Sequence, residues 1–153
     1  MEVQTIIVIG SGQMGSGIAQ VAAQSGFGVL LNDISRQFVD RGLKGIEKNL
    51  ARSVEKGRIA PEAKDATLAR IKPALDLESA AGADLVIEAI VENLDAKKEL
   101  LGRLDRICGS STLLASNTSS ISITELAAAT GRPEKFIGMH FFNPVPVMKL
   151  VEL

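Results

Sequence analysis

Short apolar runs rich in β-branched residues alternate along this chain with longer stretches in which apolar side chains recur every three or four positions. The first run, residues 3–9, is nearly continuous and ends at glycine, which predicts a strand buried on both faces, as parallel sheets produce. Gly10-Ser11-Gly12-Gln13-Met14-Gly15 follows, then an alanine-rich stretch over 16–24 that Gly26 ends, so strand, tight turn and helix come in order. Residues 29–33 read as a second strand. From Ser35 onward, Val39, Leu43, Ile46, Leu50 and Val54 mark one face of an amphipathic helix that Gly57 can terminate. Pro61 suits the first turn of another helix, whose apolar face includes Leu68 and Ile71 and which Pro73 stops. This helical pair is longer than a crossover needs. Strands are predicted over 84–90, 112–116 and 136–140, alternating with helices over 94–107 and 122–129, and 148–153 reads as a further strand. Repeated strand-helix alternation predicts an α/β fold with a doubly wound, mostly parallel sheet and an extended helical pair after the second strand.

Composition narrows the class. A chain of 153 residues is one domain's worth and long enough for a full hydrophobic core. Its longest uncharged apolar runs are too short to span a membrane. The 17 Lys and Arg nearly balance the 18 Asp and Glu, so there is no general field to attract nucleic acid, and an anionic ligand must be held by local geometry. Cys108 is the only cysteine, which excludes an internal disulfide and reads as a packed thiol. No metal site is expected. The first four residues carry no basic region, so neither a signal nor a transit peptide is expected there, and the expected location is cytoplasmic.

The glycine spacing gains weight from its place between a strand and a helix. The first glycine, Gly10, allows a tight turn, Gly12 lets the backbone approach a pyrophosphate, and Gly15 lets the helix pack closely on the strand. The pyrophosphate then meets free N–H groups at the helix N-terminus, with Gln13 and Met14 in the same loop. Asp33 ends the second strand, where its carboxylate can accept hydrogen bonds from both hydroxyls of an adenosine ribose and would repel a 2′-phosphate. Arg36 is the nearest cation but follows a helix cap and is expected to face solvent. These features predict a Rossmann-type site for NAD rather than NADP.

His140 is the single histidine. It is expected to end a strand on the crevice side of the sheet, where an imidazole can exchange a proton near neutral pH. Glu152 follows 12 residues later, and a loop through Pro144 and Pro146 followed by a strand could return it to the imidazole to fix the tautomer. Ser116-Asn117-Thr118-Ser119-Ser120 ends another strand on the same side. Taken alone, this cluster reads either as helix-capping chemistry or as ligand contacts, Ser119 among them.

Residues 116–120, the segment from His140 through Asn143, Pro144 and Pro146 to Glu152, and the block Glu88-Ala89-Ile90-Val91-Glu92-Asn93 resemble the L-3-hydroxyacyl-CoA dehydrogenase family, and the likeness runs over the whole chain. The resemblance implies that His140 is the proton-transferring base and Glu152 its orienting partner. It implies that Ser119 and Asn143 touch the substrate's reacting group or the nicotinamide end of NAD. Glu92 and Lys97 match cofactor-contacting positions, and Lys56, with Arg52 one turn earlier, falls where a lysine contacts CoA. The implied reaction exchanges a hydride between NAD and the C3 hydroxyl or ketone of a 3-hydroxyacyl-CoA, as in β-oxidation and butanoate metabolism. Family members continue into an all-helical domain that forms much of a homodimer interface and closes over the acyl chain. That domain is expected to lie outside this chain, which then binds cofactor but is weakly active or inactive alone.

Two other readings stay open at this stage. One is a related dehydrogenase of a small hydroxy acid such as gulonate, which has no CoA phosphates for Lys56 and Arg52 to hold. The other is a non-catalytic NAD(H)-binding module, which does not need His140 paired with Glu152.

Overall fold

The first apolar run becomes a central strand because both of its faces are covered. In the computed structural model, which describes residues 2–153, β1 (Thr5–Ile9) directs Ile6 and Val8 into one core and Ile7 and Ile9 into another on the opposite face. Met1, part of the segment read above as leader-free, lies outside the described residues. Around β1 stand β2 (Gly28–Asn32), β3 (Ile71–Ala74), β4 (Leu85–Glu88), β5 (Leu113–Ser116) and β6 (Phe136–Gly138), in the order β3-β2-β1-β4-β5-β6. Every pairing in this sheet is parallel.

The helices divide between the two faces. Helix α1 (Gln13–Gln24) and α2 (Arg36–Glu55) bury Ile18, Ala19, Ile46 and Leu50 against Val8 and Leu31. On the other face, α4 (Leu94–Ile107) and α5 (Ile123–Ala127) bury Leu101, Leu104 and Leu126 against Ile7, Val86 and Leu114. Two covered faces explain why the strands read as continuous apolar runs rather than alternating ones. Among the described residues, no helix is long and apolar enough to cross a membrane.

The structure corrects several element boundaries, among them the strand expected over 84–90, which ends at Glu88. Helix α3 (Pro61–Arg70) stops before Ile71, and Ile71–Ala74 is the edge strand β3 rather than helix. An edge strand is hydrogen-bonded on one side only, so it tolerates Pro73, and Ile71 is 8% exposed against the core instead of lining a helix face. The strand expected over 136–140 breaks at Met139, whose N–H donates to the Ser116 carbonyl at 2.9 Å. His140 therefore does not end a sheet strand. It opens β7 (His140–Phe141), which pairs antiparallel with β8 (Val151–Glu152) in a separate ribbon, and β8 is shorter than the expected 148–153. A 3₁₀ turn over Leu77–Gly82, capped by Asp76, escaped the periodicity altogether because it is too short to show one.

One carboxylate fastens the start of the sheet. Asp84 Oδ2 accepts the backbone N–H groups of Gln4 at 2.9 Å and Thr5 at 2.8 Å. The bonds from Thr5 and then Gln4 favour the charged form and hold the Asp84 pKa below its ordinary value against a smaller opposing effect of burial. A depressed folded-state pKa stabilises the fold above the unfolded value, and that contribution disappears as pH falls through the folded value. Asp84→Asn is thus expected to lower the Tm at neutral pH. Thermal melts across acid pH check this: the gap between variant and parent should close below the ordinary carboxylate range.

Candidate functional site

Strand order reverses beside β1, whose neighbours β2 and β4 carry the chain to opposite flanks of the sheet, and a crevice opens there at the carboxyl ends. Gly10 turns the chain with φ 102°, a backbone conformation that side chains rarely adopt, and a Cβ there would meet the Ala89 carbonyl oxygen at 2.5 Å. At Gly15 a Cβ would lie 1.7 Å from the Gly10 carbonyl oxygen, so the glycine sets how closely α1 approaches the loop. Gly12 is different, since nothing lies within 4 Å of a Cβ built there. The space beside it is open to a ligand. Gly12 caps α1 with no side-chain hydrogen bond, and the first turn holds no acidic residue, so its N–H groups and the helix dipole are available to an anion.

Asp33 holds this loop as well as facing the crevice. Its Oδ2 accepts the Ser11 N–H and the Ser11 hydroxyl, both at 2.7 Å, while Oδ1 accepts the Ile34 N–H at 2.7 Å. A carboxylate has about four acceptor sites, so one remains free, and a second ribose hydroxyl would have to displace that of Ser11. Two adjoining cavities of about 510 Å³ each meet at Gly10, Asp33, Ile34, Ile90 and Ala96, giving an adenosine-sized recess whose lining mixes apolar side chains such as Ile34 and Ile90 with charged ones such as Glu99. Arg36 turns to Asp40, with Nε 3.6 Å from Oδ2 and a side chain 73% exposed. The donor set therefore fits NAD.

Farther along the carboxyl edge, the loop after β4 rests on a buried ion pair. Lys97 Nζ donates to Glu88 Oε1 at 2.5 Å, with the two side chains 1% and 0% exposed. Glu88 also accepts the Ile90 N–H at 2.8 Å and the Ser116 hydroxyl at 2.6 Å. Lys97 reaches the Ile90 carbonyl at 3.3 Å and Glu92 Oε1 at 3.4 Å. Glu92 Oε2 in turn accepts the Thr118 hydroxyl at 2.7 Å and the Ser120 hydroxyl at 3.3 Å. Burial pushes the Glu92 pKa up, but the Thr118 bond, the Lys97 charge and bond, and the Ser120 bond together hold it below its ordinary value. Thus Lys97, singled out as a cofactor-contacting position, is enclosed, and what this cluster presents at the surface is the Glu92 carboxylate.

The ribbon brings the proton-transfer candidates together. His140 and Glu152 are register partners, with Nδ1 3.0 Å from Oε2. The imidazole packs at a tilt on the Phe142 ring, 4.6 Å between centroids. Asn117 Oδ1 accepts the Phe141 N–H at 2.9 Å and so ties the loop after β5 to the ribbon. Asn143 Oδ1 accepts the Gln13 side-chain amide at 3.1 Å, joining the segment after β7 to the start of α1. Below it Val145 is buried against Gly17, where a Cβ would come within 2.8 Å of the valine Cβ. Ser119 is exposed in the same loop as Thr118, and Met14 is half-buried on α1.

Arg52 and Lys56 stand apart. Both are exposed, in the last turn of α2 and at its C-cap, about 24 Å along the helix axis from Arg36 to Arg52 at 1.5 Å per residue. Two residues that sequence reasoning passed over are Glu88 and Asn117. The signal for Glu88 was an acidic residue closing an apolar strand run, a position where burial demands a partner. Among the described residues, no group of three or more His, Cys, Asp or Glu side chains is placed to hold a metal.

Comparison with known proteins shows the family and the fold. The family model for the 3-hydroxyacyl-CoA dehydrogenase NAD binding domain matches residues 5–153. A probable 3-hydroxybutyryl-CoA dehydrogenase of Bacillus subtilis is 54% identical over 153 residues, covering 100% of this chain and 53% of that protein. The 3-hydroxyadipyl-CoA dehydrogenase of Escherichia coli is 51% identical over 153 residues, again covering 100% of this chain but 32% of its own length. In the crystal structure of (S)-3-hydroxybutyryl-CoA dehydrogenase from Ralstonia eutropha, the matching part superposes with a TM-score of 0.96 at 46% identity, covering 98% of this chain and 53% of that one. The chain spans about half the length of the first of these relatives.

Two sets of variants test the site. Gly12→Ala should leave the Tm unchanged and weaken dinucleotide binding about tenfold or more, because the added methyl occupies ligand space, whereas Gly15→Ala should lower both. NADH fluorescence titrations beside thermal melts separate the two. Lys97→Met leaves a buried carboxylate unpaired and is expected to cost about 3–5 kcal/mol in urea unfolding. Adding Glu88→Leu should restore part of that loss.

Proposed function

Because this chain belongs to the 3-hydroxyacyl-CoA dehydrogenase NAD-binding domain family, we propose that it supplies the cofactor site and the proton-transfer pair of an oxidoreductase acting on a 3-hydroxyacyl-CoA. The observation that carries the reading is the 3.0 Å contact between His140 Nδ1 and Glu152 Oε2, set by strand register at the crevice edge. Bound NAD would accept the hydride from C3 of the substrate. Glu152 keeps a proton on Nδ1, which leaves Nε2 as an acceptor for the substrate hydroxyl and stabilises the imidazolium once the proton has moved. In the reverse direction the protonated ring donates to the C3 ketone. Ser119 and Asn143 lie on the two loops that meet the ribbon and would hydrogen-bond around the reacting oxygen, holding it in line with the cofactor.

Support for the acyl-CoA substrate comes from the relatives, which are named for 3-hydroxybutyryl-CoA and 3-hydroxyadipyl-CoA. Lys56 and Arg52 would serve the CoA phosphates from the far end of α2. The remaining length of the relatives is read as an all-helical domain through which the whole protein forms a homodimer.

The chain contains no Trp or Tyr, so NADH emission can be followed without interference. Addition of acetoacetyl-CoA to the protein with NADH is expected to give a slow, steady loss of signal. His140→Gln should cut that rate about 10²–10⁴-fold while leaving the NADH Kd unchanged. Loss of signal with a free 3-oxo acid but not with its CoA thioester would sink the acyl-CoA reading.

A further inference from the structure

The buried ion pair does more than support a loop, because its charges do not cancel with those of the neighbour it touches. Glu88 and Glu92 supply two carboxylates and Lys97 one ammonium, all joined by contacts of 3.4 Å or less. One net negative charge remains. Glu88 is 0% exposed and Lys97 1%, whereas the Glu92 side chain is 45% exposed, so the uncompensated charge emerges at Glu92. The hydroxyls of Thr118 and Ser120 fix that carboxylate at the carboxyl edge, between the ends of β4 and β5.

The two halves of the crevice see different parts of a dinucleotide. Asp33 and the recess beside it lie over β2, the Gly12 loop lies over β1, and His140 with the Asn117 loop lies beyond β5. A dinucleotide with its adenosine at Asp33 and its phosphates at Gly12 must run its nicotinamide toward β4 and β5. That ring is cationic when oxidised and neutral when reduced. Adenosine and pyrophosphate are the same in both forms.

We infer that the Glu88–Lys97–Glu92 cluster, by leaving one carboxylate charge uncompensated in the nicotinamide half of the crevice, raises affinity for the oxidised cofactor relative to the reduced one. The inference rests on the proposed dinucleotide reading of the crevice. Three nearby charged side chains do not compete for the role. Lys98 and Glu125 neutralise each other at 2.6 Å. Glu152 is committed to His140, so altering it changes the base together with the field.

The test compares Kd values for NAD and NADH on this chain, by calorimetry and by NADH emission. Glu92→Gln keeps an oxygen for Thr118 and Ser120 but removes the charge, and it is expected to weaken NAD relative to NADH by about three- to tenfold. Glu92→Asp keeps the charge and should preserve the parent ratio. Glu99→Gln removes a carboxylate lining the adenosine recess and should move both affinities together. In the parent protein, raising ionic strength should carry the ratio in the direction that Glu92→Gln does, which needs no variant at all. A ratio unmoved by Glu92→Gln, or moved equally by Glu99→Gln, overturns the inference while leaving the dinucleotide site standing. Failure of the parent to bind either form overturns both.

Discussion

The Glu88 carboxylate is the point from which the carboxyl edge of this protein is built. A charged group with no exposed surface is tolerated only when its acceptor sites are filled, and here three elements fill them: Lys97 from α4, the Ser116 hydroxyl from the end of β5, and the Ile90 N–H from the loop that follows β4. Replacing such a pair by apolar side chains can leave stability unchanged, so its value lies in geometry. It fixes where the β4 loop leaves the sheet and where the Ser116–Ser120 segment begins. Through Glu92 and Thr118 that geometry reaches the surface of the crevice.

The other half of the crevice is organised by steric closeness rather than charge. Gly10 and Gly15 bring backbone to backbone at distances no side chain survives, and the same crowding leaves an unobstructed approach at Gly12. Asp33 then pins Ser11 in the loop, so the residue that would recognise a ribose also shapes the phosphate site. Binding and folding share the same atoms there.

Much of this could be read from sequence because it depends on local periodicity and backbone freedom. The β1 run, the GxGxxG spacing and the position of Asp33 each constrain the chain within a few residues, and the alternation of elements then restricts the topology. The return of Glu152 to His140 could be anticipated from a loop through Pro144 and Pro146 followed by a strand. What escaped depends on contacts made at a distance. Pro73 argued for a helix stop, and only the presence of β2 on one side and solvent on the other makes Ile71–Ala74 an edge strand. Gly138 and Met139 gave no sign that the chain leaves the sheet before His140. Glu88 fell inside the strand expected over 84–90 and was given no role, because its partners Lys97 and Ser116 lie 9 and 28 positions away. Lys97 could be matched to a position but not to a direction.

The ribbon of β7 and β8 has a consequence for how the parts of this protein can fail. It contains four residues in two register pairs, with both residues of β8 exposed, and it is joined to the sheet through Met139 and Asn117. Phe141 and the buried Val145 hold β7 and the following loop against the core, but β8 is exposed on both of its residues, so β8 opens at less cost than the six-stranded sheet beside it. In the language of linkage, cofactor affinity reports on the cooperative unit of the sheet, whereas the proposed proton transfer reports on a small unit with its own opening equilibrium. The two properties can therefore drift apart under mutation, heat or denaturant, and a chain that still holds its cofactor can have lost the proposed pairing of His140 with Glu152.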